Sequence, residues 1–537
     1  MQRNKNYPLK HVSIRVPWHD NKWNGTVCNN PRHNNSCLIL RRCAISRNDD
    51  LEEQVAGMSI DKLDISQYPC CIDERGTFMS PFDFYILKNH PYKKIVKQNY
   101  ENFKDTPLRI PPYSAAGVPF AWMLREEAEK KAEEYDLDFD LEREPDLQFN
   151  TPWVQEFRNQ KAILDCFFEH LEEDKSLCFF YAKDVPFYEG TGRVLVGVGV
   201  VKSVGDGKEY DYFQKGKFRS MLWEHMIQHS IRENFKEGFI LPYHEAIEYS
   251  KNNPLFDPAE IAVVIPNDKI LEFSFATEHV SNDTAIRVLL ECVKSLRKAN
   301  ELNLGNRDWT KQIKWIHDQI NELQKLRGNY PGLGSALCAF GVENGNFIAM
   351  EILEKYTDED PWLIIDKLFK NPEEIVSPYL AKSITPLLKE RWKRLKENER
   401  KLELLQLLSR FDINKDQAKV FFDEIERGNN NINLSNEEIL ENPYLIFENS
   451  LKMEEPISFS TIDLGLYRKV KKGTHLYPKS LNITDPMDPR RIRALTIYEL
   501  AKALDEGHTL LSRTQLINRI RELSLMPPCE VAVDIYE

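Results

Sequence analysis

The chain has 537 residues, of which 42% are hydrophobic and 29% are charged, and its formal net charge is −12. This length predicts several domains rather than one core, and the composition excludes a disordered protein and a uniformly basic nucleic-acid-binding surface. The first residues lack an apolar signal core and no segment approaches about 18 uninterrupted apolar residues, so we expect a cytoplasmic protein without membrane spans.

The sequence divides into four blocks, and the predicted fold class is multidomain α+β. Residues 1–125 form a loop-rich, cysteine-bearing module, because prolines recur throughout and interrupt any long helix. Residues 126–300 alternate helix and strand patterns, which predicts a mixed α/β module with a small β-sheet or barrel. Residues 301–400 read as a helical connector and residues 401–537 as an all-α module.

The cysteines of the first block are the best candidates for binding an ion. Five of the ten cysteines lie between Cys28 and Cys71, and in a reducing cytosol such a cluster is better explained by metal binding than by disulfides. A structural zinc ion needs four thiolate or imidazole ligands, and an iron-sulfur cluster would also use thiolates. The predicted ligands are Cys28, Cys37 and Cys71, with Cys70, His19, His33 or His90 in the fourth place.

Two alternatives stay open for these cysteines. The spacing C-x8-C followed by C-C is not the usual C-x2-C pattern of zinc sites. Buried thiols without a metal, or thiols with a redox role, would therefore also account for the cluster.

In the second block, the segment RVLVGVGVVKSV predicts a strand with valines on one face and Gly197 and Gly199 on the other. The segment is similar to the small PUA-type or EVE-type barrels that hold a nucleobase. That resemblance implies a base pocket in which the two glycines form a wall and Trp223 provides the stacking plane. The alternative is an ordinary β-sheet core with Trp223 buried in it. His225 and His229 are four residues apart on a predicted helix and are interpreted as structural.

A run of cations follows in the connector. Lys389, Arg391 and Arg394 lie on a predicted amphipathic helix and are suited to follow a phosphate backbone, although solvated helices commonly carry such charges.

The C-terminal block carries the most specific pattern in the chain. The segments LLQLLSRFDINKDQAKVFFDEI, ENPYLIFE, ISFSTIDLGLYRK and RRIRALTIYELAKALDEGHTLLSRTQLINRIREL follow one another in order between residues 404 and 523. This order resembles the helix-hairpin-helix region ahead of the motor in RecD-like, superfamily-one DNA helicases. The resemblance covers about the last quarter of the sequence. It departs from the family at the first turn, where Asn414 stands in place of the usual glycine.

The resemblance implies DNA binding through backbone amides of the hairpin turn, with Asn414, Lys415 and Lys419 at the contact. No G-x-x-x-x-G-K-[ST] segment is present, so no ATP site is expected in this chain. We therefore expect the DNA-recognition part of a RecD-like helicase whose ATPase motor lies downstream or on a separate chain, in bacterial DNA processing or anti-phage defence. A non-catalytic scaffold, or a sensor of a nucleotide or modified base, is the alternative.

Overall fold

The computed structural model describes residues 7–147, 149–190, 192–214, 218–233, 235–357, 359–467, 476–481 and 483–532. The chain forms two compact units, residues 1–320 and 321–537. Both helices and strands occur, which confirms the predicted mixed α and β fold class. No helix in the described ranges is both long and apolar enough to cross a bilayer.

A mixed sheet organises the first unit. The strands are β1 (His11–Arg15), β2 (Phe84–Lys88), β3 (Thr106–Ile110), β4 (Ser114–Gly117), β5 (Leu177–Ala182), β6 (Val194–Val204), β7 (His225–His229), β8 (Gly238–Ile240) and β9 (Thr277–Val280). Seven of them form one sheet in the order β4-β7-β6-β5-β1-β9, with β8 added to β6, while β2 and β3 pair separately. Strands β1 and β5 are parallel, and every other pair is antiparallel.

The expected boundary at residue 125 does not separate two bodies. Strands β1 and β4 come from the first 125 residues and belong to the same sheet as β5, β6, β7 and β9. The prediction assigned local patterns to separate modules, but hydrogen bonding between distant strands joins them. The sheet unites the first two predicted blocks, and the division between units falls after Ile320.

Eight helices begin in the first unit, counted within the described ranges. They are α1 (Arg41–Ser46), α2 (Asp49–Gln54), α3 (Lys97–Tyr100), α4 (Arg125–Tyr135), α5 (Phe157–Glu169), α6 (Tyr243–Asn252), α7 (Asn282–Glu301) and α8 (Thr310–Arg327), of which α8 continues into the second unit. Helix α7 starts where Ser281 accepts a hydrogen bond from the amide of Thr284, and its buried face includes Ile286, Val293 and Leu296.

In the second unit, every regular element among the described residues is a helix. The helices are α9 (Leu333–Phe340), α10 (Gly345–Lys355), α11 (Pro361–Lys370), α12 (Pro372–Ile375), α13 (Pro378–Ala381), α14 (Pro386–Glu397), α15 (Glu399–Leu408), α16 (Lys415–Phe422), α17 (Glu424–Asn429), α18 (Asn436–Glu441), α19 (Tyr444–Ser450), α20 (Phe459–Leu466), α21 (Pro489–Asp505) and α22 (Arg513–Glu522). Leucine, isoleucine and phenylalanine side chains from these helices share one hydrophobic core.

A buried ion pair connects α19, α20 and α21 within that core. Asp463 accepts hydrogen bonds from Arg491 Nε at 2.8 Å and Nη2 at 2.7 Å, and from the hydroxyl of Tyr444 at 2.6 Å. The side chains of Arg491 and Asp463 are 0% and 3% exposed. Removing one partner from such a pair leaves the other charge buried and unpaired.

Replacing Asp463 with asparagine is expected to lower the free energy of unfolding by about 3–5 kcal/mol, because the Arg491 guanidinium would lose its counter-ion inside the core. Urea denaturation followed by circular dichroism measures the change. Glu390→Gln is the control, because the ion pair of Glu390 with Lys393 lies on the surface and should contribute little. Equal effects of the two substitutions would contradict this role for the buried pair.

Candidate metal centre

Three short segments of the first unit bring five cysteines together. Cys28 lies in the loop that follows β1, Cys37 lies on a 3-10 turn at residues 36–39, and Cys43 lies in α1. Cys70 and Cys71 directly precede a second 3-10 turn, Ile72–Glu74. None of the five sulfurs is in a disulfide, and four of these cysteines are buried while Cys70 is partly buried. All of them are therefore available as thiol ligands.

The thiols face a common interior. Cys37 Sγ lies 3.6 Å from the carbonyl oxygen of Asn34, and the thiols of Cys43 and Cys70 lie near it. Cys43 Sγ also lies 3.7 Å from the carbonyl oxygen of Cys70. Cys28, Cys37, Cys70 and Cys71 line a cavity of about 10 Å³. A space of this size accommodates about one water-sized sphere, which suits a single ion.

Cys37 is the thiol of this group whose pKa is lowered. The neighbouring thiols of Cys43 and Cys70, with a further contribution from Arg47, lower the pKa of Cys37 well below its ordinary value. Arg47 Nη1 lies 3.6 Å from Cys37 Sγ. The same interactions raise the pKa of Cys43 and Cys70, because their protons are shared with the Cys37 thiolate. A bound cation would replace these protons, as thiolate ligation requires.

His19 adds an imidazole at the same site. A ring nitrogen of His19, a carboxylate oxygen of Asp20 and Cys28 Sγ lie within 4.8 Å of one another. His19 is 1% exposed, and its Nε2 has no hydrogen-bond partner among the residues that the structure describes. Burial lowers the pKa of His19 to about 4, which leaves the imidazole neutral at pH 7 and therefore able to donate a lone pair to a metal.

Asp20 is better placed to hold the loop than to bind an ion. Its two carboxylate oxygens accept hydrogen bonds from the amides of Asn29 at 2.8 Å and Asn30 at 2.7 Å. These bonds fix the turn that carries Cys28. Burial, followed by the charge of Asp20, raises the pKa of Cys28 to about 12, so this thiol is protonated unless a cation takes the place of its proton.

The structure thus places the four predicted cysteine ligands around one cavity and adds two residues that the sequence interpretation did not name, Cys43 and Asp20. Of the alternative ligands, His19 is at the site. His90 lies elsewhere, where it hydrogen-bonds Ser220 and stacks on Tyr100, and His33 is exposed. Cys43 follows Cys37 with the spacing C-x5-C, and this spacing could have indicated Cys43 as a member of the cluster.

The predicted base pocket is wrong in its geometry. A Cβ atom on Gly197 would lie 2.5 Å from the carbonyl oxygen of Phe239, and one on Gly199 would lie 2.7 Å from Ile231 Cγ1. The missing side chains at these glycines therefore let β8 and the chain before it pack closely against β6. The glycines do not form the wall of a base pocket. Trp223 is half-buried and packs near Phe120 and Trp153, with ring centroids 6.0 and 5.8 Å away.

The histidine pair next to this region also differs from the prediction. Residues His225–His229 form strand β7 and not a helix. A spacing of four residues places two side chains on one face of a strand as well as on one face of a helix. The carbonyl oxygen of Gly205 lies 3.1 Å from His225 Nδ1, and that of Phe78 lies 2.8 Å from His229 Nε2, which supports structural roles for both.

The predicted DNA-contact residues of the hairpin occupy the start of α16. Asn414 caps this helix by accepting a hydrogen bond from the Gln417 amide at 2.8 Å, in an extended conformation and not a left-handed one. Its Nδ2 donates to Glu455 at 2.9 Å. Lys415 is half-buried, and Lys419 pairs with Glu426 at 2.7 Å. The start of the helix is thus occupied by side chains of the protein itself.

The predicted connector cations lie on α14. Arg391 and Arg394 are exposed, and the Arg391 guanidinium lies 5.3 Å from the ring centroid of Phe340. Lys389 is half-buried and donates to the carbonyl oxygen of Lys370 at 3.3 Å. The two arginines are three residues apart and share a helix face, from which Lys389 is displaced.

Comparison with known proteins gives one distant relative. The uncharacterized protein MJ1519 of Methanocaldococcus jannaschii is 21% identical over 549 aligned residues, which cover 95% of this chain. The chain spans 39% of the length of that protein. No family model and no solved structure matches the chain.

Replacing Cys37 and Cys43 together with serine is expected to reduce bound zinc from about one ion per chain to background, because two of the clustered thiolates would be lost. Plasma mass spectrometry of the purified protein measures the metal. Cys338→Ala is the matched control, because Cys338 lies in α9 outside the cluster. Zinc that stays stoichiometric in the double variant would contradict the assignment.

Proposed function

We propose that this chain is a cytoplasmic, zinc-stabilised DNA-recognition component that acts with a RecD-like ATPase motor in bacterial DNA processing or anti-phage defence. The observation that carries the metal part is the small cavity lined by Cys28, Cys37, Cys70 and Cys71, with Cys43 and the unpartnered His19 nitrogen close to Cys37. The DNA part rests on the helix-hairpin-helix resemblance of the C-terminal segments.

Zinc suits this site better than an iron-sulfur cluster. The cavity of about 10 Å³ has the size of one ion, whereas a cluster of several iron and sulfide atoms would require the cysteine loops to move apart. Thiolates together with a neutral imidazole are a common zinc ligand set. Cys37, with its lowered pKa, supplies the first thiolate, and Cys43, Cys70, Cys71, Cys28 and His19 are the candidates for the other three positions.

The helical architecture of the second unit supports the DNA part. The resembling segments form the helix pair α15 and α16 and then the helices α19 to α22, which is the all-helical arrangement that the resemblance implies. The last two residues of ISFSTIDLGLYRK lie outside the described residues. The archaeal relative carries its matching segment within a much longer polypeptide, as a recognition part joined to further domains would be.

The most informative residue for DNA contact is Glu455. Its side chain and backbone oxygens accept hydrogen bonds from Asn414 at 2.9 Å and from Gln417 at 3.0 Å, so a carboxylate stands beside the start of α16. A phosphate that approached the same helix start would meet this negative charge. The proposed contact therefore involves Lys415 and the exposed arginines of α14, with Glu455 limiting the affinity.

Replacing Glu455 with glutamine is expected to strengthen DNA binding several-fold, because it removes a negative charge and keeps a hydrogen-bonding side chain at the helix start. The combined change Arg391→Gln and Arg394→Gln is expected to weaken binding and to reduce the salt slope by about one unit per lost phosphate contact. Fluorescence anisotropy with single- and double-stranded oligonucleotides over a salt series measures both effects.

Glu454→Gln is the matched control, because this exposed neighbour has the same charge. Salt-sensitive binding that responds to Glu455 and not to Glu454 would support the proposal. DNA binding that is absent at low salt would instead favour the non-catalytic scaffold. ATP hydrolysis by the purified chain would contradict the assignment of the motor to another segment or chain.

A further inference from the structure

Cationic side chains gather where β1 and β5 end. Arg15 is the last residue of β1 and pairs with Tyr181 on the parallel strand β5. Lys183 follows β5, and Arg193 precedes β6, whose Leu195 pairs with Tyr181. Since paired residues share a face of the sheet, Arg15 and Tyr181 lie on the same face, and Lys183 and Arg193 lie in the chain next to these strand ends.

The local charge is positive. Glu74 Oε2 accepts hydrogen bonds from Arg15 Nη2 at 3.1 Å and from Arg75 Nη2 at 2.8 Å, so one carboxylate serves two guanidinium groups. Lys183 and Arg193 add two further cations. Burial and the charges of Arg15 and Arg193 lower the pKa of Lys183. The influence of the two arginines indicates that they lie near Lys183.

A second acid near this face is Glu278. Glu278 lies on β9 opposite Ser13 of β1, and it acts electrostatically on Tyr181. Burial holds the pKa of Glu278 well above its ordinary value, so its carboxyl group is more readily protonated.

Two buried donors at this place lack acceptors. Tyr181 is 0% exposed, and neither its hydroxyl nor Arg15 Nε has a hydrogen-bond partner within the described part of the chain. Buried donors of this kind are almost always satisfied in native proteins, by protein, water or a ligand. A phenol hydroxyl and a guanidinium N–H that both need an acceptor, next to an excess of cations, indicate an anionic ligand.

We propose that Arg15, Tyr181, Lys183 and Arg193 bind a phosphate monoester group. Its oxygens accept several hydrogen bonds at once, and guanidinium groups match that geometry. The carboxyl ends of parallel strands are the usual ligand-binding edge of open α/β sheets. Arg15, Lys183 and Arg193 are half-buried, so the group can be reached from solvent.

A free nucleotide and the phosphorylated end of a DNA strand both carry this chemical group. The site shares no residue with the cysteine cavity or with the hairpin helices. Its existence therefore does not depend on the zinc ion or on the DNA contact proposed above.

Isothermal titration calorimetry of the full chain tests the site. The probes are inorganic phosphate, a nucleoside 5′-monophosphate, and one oligonucleotide prepared with and without a 5′-phosphate. Saturable binding is expected, and Tyr181→Phe and Lys183→Gln should each weaken it by about tenfold, because each loses one donor to a charged acceptor. Tyr181→Phe removes only an unpartnered hydroxyl, so the fold should be retained.

Tyr249→Phe and Lys175→Gln are the matched controls, because Tyr249 lies on α6 and Lys175 pairs with Glu172 on the surface. Preference for the mononucleotide would identify a nucleotide site, and preference for the 5′-phosphorylated oligonucleotide would identify a DNA-end site. Absence of binding for every phosphate probe would overturn the proposal. Binding that is insensitive to both Tyr181→Phe and Lys183→Gln would overturn it as well.

Discussion

In the first unit, a segment without strands holds five thiols together in its interior. The structure of this unit depends on that arrangement. The structure describes residues 16–83 throughout, and they contain only 3-10 turns and two helices of six residues each. Such a segment forms few repeating backbone hydrogen bonds, although it buries apolar side chains such as Trp23, Val27, Ile60 and Phe78. The cysteine cavity lies between separate loops of this segment, and a metal ion bound there would join them.

Polar contacts around the cavity hold the loops in position from outside. Arg47 donates to the carbonyl oxygens of Asn34, at 2.7 Å, and of Pro31, while Asp20 fixes the turn after Cys28. These contacts hold the loops that carry Cys28 and Cys37. They correspond to the outer hydrogen bonds that orient the ligands in known metal sites.

The cysteine loops are also connected to the sheet. The second 3-10 turn begins next to Cys71, and the chain then reaches Arg75, whose Nε donates to the carbonyl oxygen of Arg15 at 2.7 Å. Glu74 of the same turn forms an ion pair with Arg15. Glu74 and Arg75, which contact Arg15 at the end of β1, therefore lie within four residues of Cys71.

The sequence revealed the candidate metal site more readily than the sheet. The density of cysteines among prolines pointed to Cys28, Cys37, Cys70 and Cys71, because both features can be read locally. Pairing between β1 and β5 joins Arg15 to Tyr181, which lies more than a hundred residues further along the chain. No local sequence pattern predicts this pairing. The valine and glycine alternation of β6 correctly predicted a strand, but only the position of Phe239 shows that Gly197 admits a neighbouring strand instead of a base.

X-ray absorption spectroscopy of the purified full chain at the zinc edge tests the central claim most directly. The account predicts stoichiometric zinc with three or four sulfur neighbours at about 2.3 Å, and a nitrogen neighbour if His19 is the fourth ligand. Protein that contains no zinc when purified and binds none when it is added, or zinc surrounded only by oxygen and nitrogen, would contradict it.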